Sequence, residues 1–410
     1  MNEGKQHVQE VGFPKHFDGT GRVQLTDVEA PEVYPETSQY RRTSALIQVD
    51  EEDSYIVDFF RVNGGKDHHF SFHSMEGDVA VGGLDLVPQT DDNGNFVGTY
   101  AGRDIAFGQR ADDVDGTGYM GSGFHWLKDV ERDANPEEQI SIDWNVKDTW
   151  NMFGNGAGAD TDVHLRLTML TQLDEAALAT GVPPDNKPGN PEEIRYFIGH
   201  RTADEGEDTD SLFTSVIEPY QGSRYVQSIE QVSVKQDDVL LDSNDVQAVK
   251  VTLENGRTDY IVYSMNADAE HVIDDKLRFS GFFGVYSLAD GEEVYRYVQD
   301  GTVFAPIEEQ SEPVLARLEG EVLDFTRELE IENEIKIKLD VDEGVDIQAE
   351  ELTGQWVFIE DDGIRNAVYE IKAAEALNEE HEFLLHIGDI TLIRSFVNVN
   401  DFDQGYIYDV

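Results

Sequence analysis

The sequence predicts an all-β protein, a large antiparallel β-sandwich followed by a smaller β-domain, and three observations carry that prediction. Tight-turn dipeptides recur between apolar runs, those runs are short and rich in β-branched and aromatic residues, and helical periodicity is scarce. Tyr55-Ile56-Val57-Asp58-Phe59-Phe60-Arg61-Val62 is a run of the kind that fills a sandwich core. Val249, Val251 and Leu253 alternate with Lys250 and Thr252, after which Asn255-Gly256 turns the chain into Tyr260-Ile261-Val262-Tyr263. Asn-Gly is a strong hairpin signal because both central residues of a type I′ turn need positive φ. Asp290-Gly291 plays the same part between residues 284–288 and 294–297, and Asp362-Gly363 between residues 356–359 and 367–371. Only residues 174–180 and 373–380 read as short helices. The polar stretch 308–313, which ends in Pro313, places a domain boundary there: residues 1–310 form the large β-domain and residues 311–410 the small one. Pro183-Pro184 followed by Lys187-Pro188-Gly189-Asn190-Pro191 marks a long surface loop within the large domain. No internal repeat of fixed period is present.

The 410 residues include 85 acidic and 30 basic side chains, a net charge of -55, and no cysteine. Without cysteine there are no disulfides, no thiolate catalysis, no zinc ribbon and no iron–sulfur cluster. High charge with low hydropathy is also the signature of disorder, but an aromatic content of 10% and the alternating apolar segments argue for a core. Acidity spread over the whole chain, with arginine outnumbering lysine, fits a folded protein from a high-salt environment. Concentrated salt screens self-repulsion within ~3 Å at 1 M and makes such a surface tolerable. Phosphate backbones and anionic membranes are repelled by it, so neither nucleic acid nor lipid is an expected partner. No apolar run approaches the ~20 residues of a membrane span, and the opening MNEGKQHVQE carries no hydrophobic stretch of a secretory signal.

Several familiar motifs appear in form only. Gly116-x-Gly118-x-x-Gly121 satisfies a dinucleotide fingerprint, yet it follows Asp112-Asp113-Val114-Asp115 rather than a strand, which makes it a glycine-rich loop. His381-Glu382-Phe383-Leu384-Leu385-His386 spaces its histidines one residue too far for a helical zinc site, in a context that reads as a strand. Asp91-Asp92-Asn93-Gly94-Asn95 and Asp401-Phe402-Asp403 offer oxygen ligands without the rest of a calcium loop, so solvated turns are expected. No G-x-S-x-G nucleophile elbow is present. His68, His69 and His73 form the densest histidine group, and His125 lies in Gly123-Phe124-His125-Trp126. On a strand, His69 and His73 share one face while Phe70 and Phe72 enter the core. The pair can then converge on a ligand or metal, or serve as ordinary hydrogen-bonded imidazoles.

Tyr40-Arg41-Arg42-Thr43, followed by Tyr55–Val62 and Asn63-Gly64-Gly65-Lys66-Asp67-His68-His69, resembles the heparinase II/III-like family. A tyrosine-valine-aspartate strand there leads into Arg-Val-x-Gly-Gly and a histidine. Phe213-Thr214-Ser215-Val216-Ile217-Glu218-Pro219-Tyr220 and Asn255-Gly256-Arg257-Thr258-Asp259-Tyr260 look like the same family's C-terminal region, and the similarity spans roughly residues 1–300. The resemblance implies polysaccharide lyases that join a helical toroid to an antiparallel β-sandwich and cleave uronic-acid glycans by β-elimination. Such chemistry needs a group that neutralises the uronate carboxylate, a base for the C5 proton and an acid for the leaving oxygen. Some members carry a divalent metal near the sandwich, and an extracellular or cell-surface location is implied.

The chain departs from that pattern. No toroid precedes the matched region, nor do the His-x-His-x-Asp and His-Asn-Thr segments of the family. The resemblance therefore leaves His68 and His73 as catalytic candidates. Arg61, His69, Tyr119, His125 and Trp126 are candidates for substrate contact, arginine as a carboxylate clamp and aromatic rings as stacking faces. An acidic polysaccharide and a separately encoded toroid subunit are the implied partners. Two other classes compete: a carbohydrate-binding module without chemistry, and a structural or assembly β-protein of a halophile.

Overall fold

A computed structural model describes residue 6 and residues 11–109, 122–183, 187–241, 244–309, 317–327, 330–341, 346–360, 366–390, 395–396 and 406–407. Strand accounts for about 58% of the chain and helix for 3%, so the protein is all-β. Its sandwich has three layers. The central sheet runs, in spatial order, Phe13–Asp18, Val23–Glu29, Gln39–Gln48, Ser54–Asn63, Asp210–Gln221, Ala159–Met169, Ile140–Asp148 and Gly77–Gly82. A front sheet is ordered Asp67–His73, Ile194–Thr202, Glu175–Gly181, Leu127–Asp133 and Val87–Pro88. A back sheet contains Val226–Val232, Val246–Leu253, Arg257–Ser264, Leu277–Ala289, His271–Ile273, Val234–Gln236 and Val239–Leu240, with Glu292–Pro306 paired alongside Leu277–Ala289.

This layering explains the run at residues 55–62. Tyr55, Val57 and Phe59 point into the core shared with the back sheet, whereas Phe60 and Val62 point into the core shared with the front sheet. A strand covered on both faces has no solvent side, so its apolar residues need not alternate with polar ones. Trp144, Leu167, Phe197 and Phe213, all fully buried, fill the front core. Several charged groups trapped between layers are paired. Asp27 accepts from Arg41, Thr43 and His16, and Tyr55 donates its hydroxyl to Asp259 at 2.6 Å across the central and back sheets.

Both expected helices are strands. Glu175–Gly181 lies inside the front sheet with Ala176 and Leu178 against the central layer and Ala177 and Ala179 against a second apolar cluster. Good helix formers are held there as strand because the segment is covered on both faces, so packing overrides propensity. Of the second, only Ala373–Ala376 is strand, a mostly exposed edge held by its pairing with Glu382–Gly388. At Asp290-Gly291 both residues have positive φ, 53° and 84°, as a two-residue I′ turn requires. Asn255-Gly256 differs: only Gly256 is positive, at 86°, and residues 254–256 form a three-residue loop between Leu253 and Arg257. The turn at Asp362-Gly363 lies outside the described residues, although the hairpin it would join, Trp356–Glu360 with Asn366–Glu370, is formed.

Beyond the sandwich, a separate apolar cluster runs from Phe325 to Ile387. It is built on a sheet of Glu319–Phe325, Asn333–Asp340, Glu382–Gly388 and Ala373–Ala376, with the hairpin and the short helix Ala349–Leu352. Residues 310–316, which include most of the expected linker, lie outside the described residues.

Candidate functional site

Asp67–His73 is an edge strand of the front sheet, and its alternation separates the three histidines. His68 points inward with Phe70 and Phe72 and is 1% exposed. Its Nε2 faces the Gly64 carbonyl at 2.9 Å, so that nitrogen carries the proton, and the Ser211 hydroxyl donates to Nδ1 at 2.9 Å. Burial depresses its pKa, with the Gly64 carbonyl partly offsetting that effect. Both nitrogens are used inside the core, and neither is open to a substrate.

His69 points outward but lies beneath Tyr100 and Phe124, edge-on to both, and stacks on His200 at 4.2 Å. Burial, reinforced by His200, pushes its pKa down to about 2. His73 is exposed at the end of the strand, donating Nδ1–H to the Ser74 carbonyl and packing on Tyr196. His69 and His73 share a face, as the alternation implies, but do not converge: one is covered by aromatic rings and the other is exposed at the strand's end. Parallel stacking also keeps His69 and His200 from aiming at one ion, and no three His, Asp or Glu side chains among the described residues could hold a metal. The divalent metal implied by the family resemblance does not fit these residues.

Arg61 is likewise interior. Its side chain is 1% exposed and lies between the central and back sheets, donating to Tyr263 Oη and the Asn244 carbonyl and facing Asp210 and Asp245. It pins two layers together and cannot reach a uronate without leaving them.

The second candidate group has a different setting. His125 and Trp126 occupy a 3₁₀ turn, Phe124–Trp126, that leads into Leu127–Asp133. Trp126 is 53% exposed, edge-on to Phe107, and lies over Gly108, where an added Cβ would be 2.9 Å from the ring. Gly108 has φ +72°, so both its backbone and its missing side chain are needed. Trp150 repeats the arrangement: it is 48% exposed and rests on Gly189, φ +90°, with a virtual Cβ at 3.0 Å. Both tryptophans belong to the same end of the sandwich. Leu127 pairs with Gly181 and Gly181 with Ile194, and Gly189 lies in the connection between those last two strands. His73 reaches this end through its pairing with Tyr196, and Met152 and Phe153 are exposed next to Trp150. Tyr119 lies outside the described residues, as does the glycine fingerprint at 116–121. Of the cations near this end, Lys128 faces Glu193, Lys147 faces Glu76 and Arg195 faces Glu131.

One polar constellation escaped the sequence reading. Asp143 accepts from Tyr220 Oη at 2.5 Å, His164 Nδ1 at 2.7 Å and Arg166 Nη1 at 3.2 Å, while Arg166 also donates to Ser141. Burial opposes the Asp143 charge, but these donors outweigh it and hold the carboxyl below its ordinary value. Against its own desolvation, His164 is raised by Asp143 and Asp162. The signal was present as alternation: Ser141, Asp143 and Asn145 interleave Ile140, Ile142 and Trp144, and His164 and Arg166 interleave Leu165 and Leu167. What was missing was the knowledge that these strands are neighbours. The network uses the charge of Asp143 internally, as a structural ion cluster does.

The remaining motifs resolve simply. Asp91 accepts the backbone N–H groups of Asn93 and Asn95, closing a turn. His381 precedes the strand Glu382–Gly388, which contains His386, and Asp401-Phe402-Asp403 lies outside the described residues. No family model matches the chain, and no curated protein matches it. No helix among the described residues is long and apolar enough to cross a membrane.

Proposed function

We propose that the chain is a glycan-binding β-sandwich protein adapted to concentrated salt, which performs no elimination by itself. On the heparinase II/III-like reading it is the sandwich portion of a polysaccharide lyase, and a helical toroid supplied by another chain would bring the acid and base. The observation that carries the binding role is the pair Trp126 and Trp150, each supported on one face by a positive-φ glycine and each half exposed at one end of the sandwich. A rigid aromatic face backed by protein suits stacking against the C–H face of a sugar ring, at little cost in side-chain entropy. The absence of chemistry is argued from His68 and Arg61, whose polar atoms are spent in the interior.

The test is calorimetric titration in molar salt against neutral and uronic-acid polysaccharides, together with ultraviolet absorbance for unsaturated uronate. Saturable binding that weakens about tenfold or more in Trp126→Ala and Trp150→Ala, with a flat absorbance trace, is expected. A trace that rises with time would replace the binding role with a lyase. No heat with any glycan, combined with self-association, would leave the structural β-protein.

A further inference from the structure

We infer that the C-terminal unit carries a second binding site, independent of the aromatic end, for an amphipathic molecule with an apolar body and a cationic head. Its four-stranded sheet and the hairpin Trp356–Glu360/Asn366–Glu370 are separate sheets that share one apolar cluster. Between them and the sandwich strands Phe13–Asp18 and Glu292–Pro306 is a cleft of about 630 Å³. That volume lies within the ~300–1,000 Å³ typical of small-molecule sites.

The floor is apolar. Ile337, Leu339, Ile347 and Leu352 line it, and each keeps 7–8% of its surface exposed. An apolar occupant would remove that surface from water. Trp356 and Phe17, in edge contact at 4.6 Å, form an aromatic wall suited to a cation.

The rim supplies the charge. Glu321 and Glu360 line the cleft, are exposed, and pair with no Lys, Arg or His among the described residues. The three basic residues that line it face other acids: Arg317 faces Glu319 at 3.6 Å, Lys15 faces Glu29 at 3.7 Å, and His16 faces Asp27 at 2.7 Å and Asp300 at 3.1 Å. An acidic rim over an aliphatic floor complements a cationic amphiphile and disfavours an anionic one of the same length.

The test is calorimetric titration of the full chain with decyltrimethylammonium and with decanoate, each below its micelle concentration, at the lowest salt that keeps the fold by circular dichroism. One-to-one binding of the cation is expected, with decanoate at least about tenfold weaker. Leu352→Trp, which fills the cleft, should abolish binding. The double variant Glu321→Gln/Glu360→Gln, at exposed positions that leave the core intact, should weaken the cation about three- to tenfold and narrow its advantage over decanoate. Trp126→Ala should change nothing, which separates this site from the aromatic end. Equal affinity for the two amphiphiles, binding of many molecules per chain, or titrations unaffected by the Glu321/Glu360 variant would each overturn the assignment.

Discussion

The sandwich and the C-terminal unit are both antiparallel β structures with aliphatic cores, but they treat their interiors differently. In the sandwich, three sheets cover one another, and side chains as large as Trp144 and Phe59 are sealed at 0% exposure. In the C-terminal unit, the sheet and hairpin share one apolar cluster, and part of it, Ile337, Leu339, Ile347 and Leu352, faces a cleft. Layer number accounts for the contrast: a central sheet has two faces to fill and no solvent side, whereas a small unit of a sheet and a hairpin has one core and an open edge. Closure favours stability, and an open edge leaves room for a ligand.

That contrast is open to direct attack. Trp144→Ala should cost about 3–5 kcal/mol in denaturant unfolding at fixed salt, because the sealed layer cannot collapse onto the void. Leu352→Ala in the cleft should fall at or below about 2 kcal/mol, the low end for such truncations; equal losses would erase the distinction. Asp27→Asn should also cost about 3–5 kcal/mol, since it leaves Arg41 buried without its carboxylate. Gly301→Ala should cost about 1–3 kcal/mol, because the new Cβ would lie 2.4 Å from Gly281 Cα and from the Ser280 carbonyl oxygen.

Acid should weaken the front layer in particular. Folded His69 stays neutral down to about pH 2, whereas the unfolded imidazole takes up a proton below its ordinary 6.5. The unfolded state therefore binds more protons between those limits, and stability falls as pH drops from 6.5 toward 2, with no contribution above 6.5. His69→Phe should flatten that decline by up to about 1.4 kcal/mol per pH unit, and an unchanged slope would show that His69 does not cause it. Smallest of all, Trp126→Ala should shift stability by no more than about 0.5 kcal/mol while impairing glycan binding.

The strands were legible where local chemistry decides them. The 55–62 run and the Asp290-Gly291 turn are read directly from residue type. The inward turn of Phe70 and Phe72 follows from period-two alternation, and so does the placing of His69 and His73 on the opposite face. Segments governed by distant neighbours were not legible. Glu175–Gly181 looks helical until two layers enclose it, and nothing near Arg61 announces that Tyr263 and Asn244 surround its guanidinium. The candidate site was readable to the same degree: Trp126 stands out in the sequence, but the matching seat of Trp150 on Gly189 depends on a contact between distant segments.

The bond between His16 and Asp300 spans 284 residues of chain, and that between Tyr55 and Asp259 spans 204. During synthesis the first four strands of the central sheet emerge long before the back sheet that must cover them. Such long-range closure is slow, and the waiting strands expose Val23, Leu25, Ala45 and Val57 to other chains. The net charge of -55 repels neighbouring chains over about 10 Å in 0.1 M salt but only over about 3 Å at 1 M, so in concentrated salt it gives those strands little cover. What limits the exposure of those strands is therefore how fast the distant segments of the chain close over them.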